Sequence, residues 1–167
     1  DVKHQIGNTV KAACYGYRFQ SFGEYKALLA VYNVCAEEVK GEVNGKPYQG
    51  IVYSATNDKG EKTGNPVKAS RIGKSVGYEA VQRRMEKSGE AIKDRKLKER
   101  TRKIVATAMQ TARIRKELEQ LLKRQGIDVV CRQNDNGRIY GVTFIDHDSR
   151  VVLNGSRSVS YTHLTLP

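Results

Sequence analysis

The chain has 167 residues, enough for one domain or two small ones, and a net charge of +12 with an isoelectric point near 9.7. A hydrophobic content of 38%, with few aromatics, allows modest cores but no large one. No apolar run approaches the ~20 residues that span a bilayer, so no membrane partner is expected; a cationic surplus of this size selects polyanions instead.

Val2, Ile6, Val10 and Ala13-Cys14 recur at helical spacing, which predicts a helix from Asp1 to about Tyr15. Tyr15, Tyr17 and Phe19 follow as a short linker, expected to pack rather than react, since no histidine cluster accompanies them. Ser21-Phe22-Gly23-Glu24 is a capping box, in which serine and glutamate satisfy each other's orphan amides. The helix it opens places Tyr25, Leu28, Leu29 and Tyr32 on one stripe. Strands are expected near Val34–Val43 and Gln49–Ser54, separated by Asn44-Gly45. The polar segment Asn57–Pro66 is expected to be a turn-rich loop, without the acidic order of a calcium-binding loop.

Gly73-Lys74-Ser75 resembles part of a nucleotide-binding loop, but the required first glycine is replaced by Lys68. What remains is an anion site: free amides at the start of a helix near Val76, flanked by Ser70, Arg71 and Lys74. From Lys68 to Gln125 there are eighteen Lys/Arg against seven Asp/Glu, a surplus of +11 that accounts for nearly all the net charge. Within this block, which is broken at Ser88-Gly89, Leu97, Ile104, Val105, Ala108 and Met109 keep helical period. Ile114, Leu118, Leu121 and Leu122 do so as well. These are basic amphipathic helices with one apolar stripe.

Gly126 is placed to close the last of them in a left-handed conformation. Ile127, Val129 and Cys131 then alternate with polar positions as a strand does, and Asn136-Gly137 is expected to form a type I′ hairpin turn. Tyr140, Val142 and Phe144 share one face of the return strand. A second turn, Asp146 to Ser149, leads into Val151–Leu153. The stretch from Glu24 to Ser70 has the same plan. Leu28-Leu29 precede Val34 as Leu121-Leu122 precede Ile127, and Gly50-Ile51-Val52-Tyr53 answers Gly141-Val142-Thr143-Phe144. Ala69-Ser70-Arg71 answers Gly155-Ser156-Arg157. The expectation is an α+β fold of two similar helix-plus-antiparallel-hairpin units joined by basic amphipathic helices. Residues 1–75 would hold the N-terminal helices and first unit, 76–110 the connector and 111–157 the second unit. Residues 158–167 abandon the pattern and resemble a translated sequencing adaptor, a non-native tail outside the fold.

The segments GRIYGVTFIDHDSRVVLNGSR, GEYKALLAVYNV, YQGIVYSATNDKGEKTGNPVKAS and GKSVGYEA together resemble the region that follows the nuclease core in relaxases, the mobilization proteins of plasmids and conjugative transposons. The resemblance covers about Asp1 to Arg157. It implies a cytoplasmic protein that takes part in nicking DNA at an origin of transfer, with DNA, accessory mobilization proteins and a coupling ATPase as partners. It also implies a nucleophilic tyrosine and a histidine cluster holding a divalent metal, expected in a catalytic domain these residues do not include. No cofactor is expected within the chain itself.

The residues here bear out no chemistry of their own. His4, His147 and His163 are too scattered to form a ligand set, and no nucleophile elbow is present. Asp146-His147-Asp148 is expected to supply turn hydrogen bonds rather than bind metal. Cys14, Cys35 and Cys131 lack metal-ligand spacing and read as reduced thiols. The residues expected to contact DNA are Lys68, Ser70, Arg71, Lys74, Arg83, Arg84, Lys87, Arg132, Arg138 and Arg157. The alternative is a protein–protein interaction module of the mobilization complex, with the charge serving solubility.

Overall fold

The computed structural model describes residues 1–133 and 135–155. The fold is α+β, with five helices and two three-stranded antiparallel sheets among the described residues. The chain divides into two compact units, Asp1–Ser88 and Gly89–Pro167. The division falls inside a helix, α3 (Tyr78–Arg95), which runs unbroken through Ser88-Gly89.

In the first unit α1 (Val2–Gly16) buries Ile6, Val10, Ala13 and Cys14, the stripe its spacing predicts. α2 (Phe22–Val31) starts at Ser21, whose Oγ accepts from the Glu24 amide, while the Glu24 carboxylate accepts from the Gln20 amide. Tyr25, Leu28 and Leu29 are buried; Tyr32 is half-exposed, its hydroxyl 3.0 Å from that of the buried Tyr17. Phe19 stacks on Tyr25 at 4.7 Å between ring centroids. Tyr25 meets Tyr53 edge-on, hydroxyl to hydroxyl at 2.8 Å, and Tyr53 donates to the Val76 carbonyl. Desolvation pushes both phenols above their ordinary range, so they remain neutral donors. Tyr15 is not packed as expected: it lies on the solvent side of α1 and is 86% exposed.

β1 (Val34–Val43) and β2 (Lys46–Thr56) form a hairpin through Asn44-Gly45, both with positive φ as a type I′ turn requires. The third strand, β3 (Lys62–Lys68), was not expected, since its residues read as part of a loop. Polar and proline-containing, it pairs with β2 along the sheet edge, where a missing ladder amide is tolerated. Two 3-10 turns, Ala69–Arg71 and Lys74–Val76, lead to α3.

In the second unit α4 (Glu99–Thr111) and α5 (Arg115–Arg124) precede β4 (Ile127–Gln133), β5 (Ile139–Asp146) and β6 (Val151–Asn154). Val105, Ala108 and Met109 of α4 pack with Leu118 and Leu122 of α5 on Ile127, Val142, Phe144 and Leu153 of the sheet. Burying each Val, Leu or Phe side chain contributes about 1.5–3 kcal/mol. Gly126 has the expected left-handed φ of 75°. The expected type I′ turn at Asn136-Gly137 is corrected. Only Gly137 of the pair has positive φ, and the register shift at Arg132/Gln133 widens the loop between β4 and β5. The single-face expectation for β5 is corrected too: Thr143 and Ile145 are buried along with Val142 and Phe144.

The duplication goes further than the sequence comparison reached, because α1 and α4 belong to it. Ile6, Val10, Ala13, Cys14 and Tyr17 are buried, as are Thr101, Val105, Ala108, Met109 and Ala112 at the same spacing. Glu117 accepts from the Arg113 amide just as Glu24 accepts from that of Gln20. Asn33 takes the left-handed place of Gly126 after α2, with φ 60°. Its carbonyl accepts from Thr56 as the Gly126 carbonyl accepts from His147, both at 2.9 Å. Tyr53 pairs with Val67, and Phe144 with Leu153. Each unit is therefore two helices followed by a three-stranded meander.

Candidate nucleic-acid interface

α1 exposes Lys3, Lys11 and Tyr15 along one face, with Gly7 between the lysines, since residues four apart lie one above another on a helix. The Ala69–Gly73 segment packs against this face: a Cβ on Gly7 would stand 3.4 Å from Ile72, and one on Gly73 would stand 3.6 Å from the Lys11 stem. Small residues at both places let the two backbones approach and leave the lysine side chains at the rim.

Three open cavities run along this seam. One of about 520 Å³ is lined by Val2, Ile6, Pro66 and Val67 together with Lys3, Lys68 and Arg71. A second, about 280 Å³, shares Lys3 and Arg71 and adds His4, Asn8 and Lys11. A third, about 490 Å³ and mostly apolar, shares Lys11 and is walled by Cys14, Tyr15, Ser75, Ala80 and Arg84. The shared residues make the three one groove. Its lining holds the cations Lys3, Lys11, Lys68, Arg71 and Arg84 and one carboxylate, Asp1, whose Oδ1 accepts from the Lys3 amide.

Of the residues expected to meet DNA, the groove includes Lys68, Arg71 and Arg84. Ser70 and Lys74 are exposed beside it. Arg83 and Lys87 are exposed on α3 and line none of the three cavities. Arg84 has a structural task as well. Its Nε donates to the Cys14 carbonyl and its Nη2 to those of Tyr15 and Tyr17, so it caps the C-terminus of α1 with a positive charge. Its guanidinium carbon stands 6.0 Å from the centre of the Tyr15 ring. The helix start expected near Val76 lies at Tyr78, beyond a 3-10 turn. The amides expected near Lys74 and Arg71 therefore do not open a helix.

In the second unit Arg132 lies across β5. Its Nη2 donates to Asn154 Oδ1, its guanidinium is 5.7 Å from the Tyr140 ring centre, and a Cβ on Gly141 would collide with it. Val39 covers Gly50 in the same way in the first unit, so Arg132 occupies a packing position. Arg138 is exposed in the β4–β5 loop, and Arg157 lies outside the described residues. Sequence reasoning missed Lys3, Lys11 and Tyr15. The available signal was their spacing of four from Gly7 on the polar side of a helix otherwise read only for its core.

Asp146 anchors the β5–β6 turn. Oδ1 accepts from the amides of Asp148 and Ser149, and Oδ2 from Thr101 Oγ1 and Arg100 Nη1, both at 2.6 Å. Burial opposes its ionisation, but these donors and the Arg100 charge outweigh it and hold the carboxyl below its ordinary range. His147 Nε2 lies 2.7 Å from Asp128 Oδ2, and Lys123 Nζ donates to the other oxygen. The acidic triplet thus serves its own turn, and no group of three or more His, Cys, Asp or Glu able to hold a metal occurs among the described residues. Among those residues no helix is long and apolar enough to cross a membrane. Comparison of the chain with protein-family models, with curated proteins and with solved structures finds no match to any of them.

Proposed function

We propose that this chain is the DNA-gripping accessory part of a relaxase-type mobilization protein, with strand nicking performed by groups outside these residues. The observation that carries the reading is the groove along α1, where Lys3, Lys11, Lys68 and Arg71 converge with one carboxylate among them. Cations gathered at a concave seam attract a phosphate backbone, and displacing condensed counterions makes that attraction depend on salt. The motif resemblance from Gly23 to Ser70 and Gly137 to Arg157 supplies the relaxase part of the proposal, including its setting with accessory mobilization proteins and a coupling ATPase. The groove residues contribute no nucleophile or metal cluster, so the role is to hold and orient the nucleic acid rather than to cut it.

Titrating a labelled DNA oligonucleotide with the chain at several salt concentrations tests the reading. The expected result is a linear fall of log affinity with log salt, its slope reduced by roughly 0.7–0.9 for each groove cation changed to Gln. Affinity that ignores salt, or groove variants with unchanged slope, would refute it.

A further inference from the structure

We infer that the groove takes an unpaired DNA strand rather than a duplex, and that Tyr15 is the platform on which one of its bases stacks. This rests on the DNA reading above and specifies its ligand. A duplex presents phosphates outward and keeps its base faces covered, so it can use cations but has no ring face to offer an exposed aromatic. The groove provides for both parts of an unpaired nucleotide. Lys3, Lys11, Lys68 and Arg71 form the cationic track, while Val2, Pro66 and Val67 at one end and Ala80 at the other give it apolar walls.

Tyr15 stands where this track meets the apolar cavity and is 86% exposed, an unusual placement for a large ring in a chain with so few aromatics. Its position is fixed from below. Arg84 bonds the Tyr15 carbonyl at 2.7 Å and lies toward the ring, limiting the freedom a free surface tyrosine would lose on binding. From Lys3 to Tyr15 the helix rises about 18 Å at 1.5 Å per residue, so phosphates and a stacked base can be engaged together. Stacking on an aromatic tolerates any base, which suits a grip that follows a strand rather than reads it.

The test compares a fluorescein-labelled oligothymidylate with a duplex of equal length, using the full chain and its Tyr15→Ala and Tyr15→Phe variants. Expected is a preference for the single strand, a roughly tenfold loss for Tyr15→Ala on that strand, retention by Tyr15→Phe, and little change on the duplex. The salt slope should stay as in the parent chain, because no cation is removed. A Tyr15→Ala variant that keeps its single-strand affinity, or that loses affinity equally on both ligands, overturns the stacking role. The phosphate grip then still stands on its salt dependence. If the parent chain binds neither ligand, both readings fall together. Thermal melts of the variants, expected to match the parent because the ring is exposed, separate loss of binding from loss of fold.

Discussion

Thr143 is fully buried on β5, and its hydroxyl finds no hydrogen-bond partner among the described residues. The first unit holds Val52 at the equivalent place, between the matching Ile51 and Tyr53. Thr143→Val keeps the shape and removes the orphan group, so it should stabilise the protein by about 1–2 kcal/mol, seen as a higher urea midpoint with unchanged slope. Asp146 is the opposite case, a buried acceptor with every printed donor in place. Asp146→Ala strands Thr101 and two amides and should cost about 3 kcal/mol at neutral pH. Because the folded carboxyl is held below its ordinary range, its contribution is present above the unfolded value of ~3.9 and is lost as pH falls through the lower folded value. The gap between parent and variant should therefore narrow toward acid pH; a gap independent of pH would contradict the assigned charge.

At the scale of elements, each unit turns from helix to strand through one left-handed residue, Asn33 or Gly126. Gly126→Ala meets two penalties: the positive φ, worth about 1–2 kcal/mol, and the Asp148 carboxylate 3.2 Å from the new Cβ. Asn33→Gly relieves a side chain from the same conformation and should be neutral or mildly stabilising. Thermal unfolding of the pair checks whether the two positions are equivalent, and a Gly126→Ala protein as stable as its parent would deny it. The Gly126 stop and the α5–β4 passage were legible because glycine and period-2 alternation are local signals. β3 was not, since an edge strand in which only Val67 of seven residues is even partly buried lacks the hydrophobic alternation on which such reading depends. Nor was the β4–β5 loop, where the ladder shift at Arg132/Gln133 displaced a turn that composition placed on Asn136-Gly137.

For the whole molecule, the surplus of charge says less than its placement. The block from Lys68 to Gln125 carries nearly all of the net charge, yet α3 intersperses it with Glu79, Glu86, Glu90 and Asp94, and Arg84 is engaged by α1. Lys3 and Lys11 lie far outside the block in sequence and reach Arg71 only through the packing of α1 on the 3-10 segment. Changing Lys3, Lys11, Lys68 and Arg71 to Gln should thus abolish most DNA affinity. Changing the exposed Lys87, Lys93, Arg102 and Lys103 removes the same charge and should cost far less. Mobility shifts of the two quadruple variants at one ionic strength decide the matter, and equal losses would reduce the groove to bulk electrostatics.

The sequence by itself determined the α+β class, the doubled plan and the helix stops, because periodicity, glycine and capping residues act within a few positions of themselves. It also showed that the protein is strongly basic. Only the tertiary structure decided that the duplication includes α1 and α4, that Arg84 and Arg132 serve packing, and that Tyr15 faces solvent beside a cationic seam. Those outcomes depend on which distant segments come within contact of one another, and a side chain's partners across a fold leave no mark on the residues next to it in the chain.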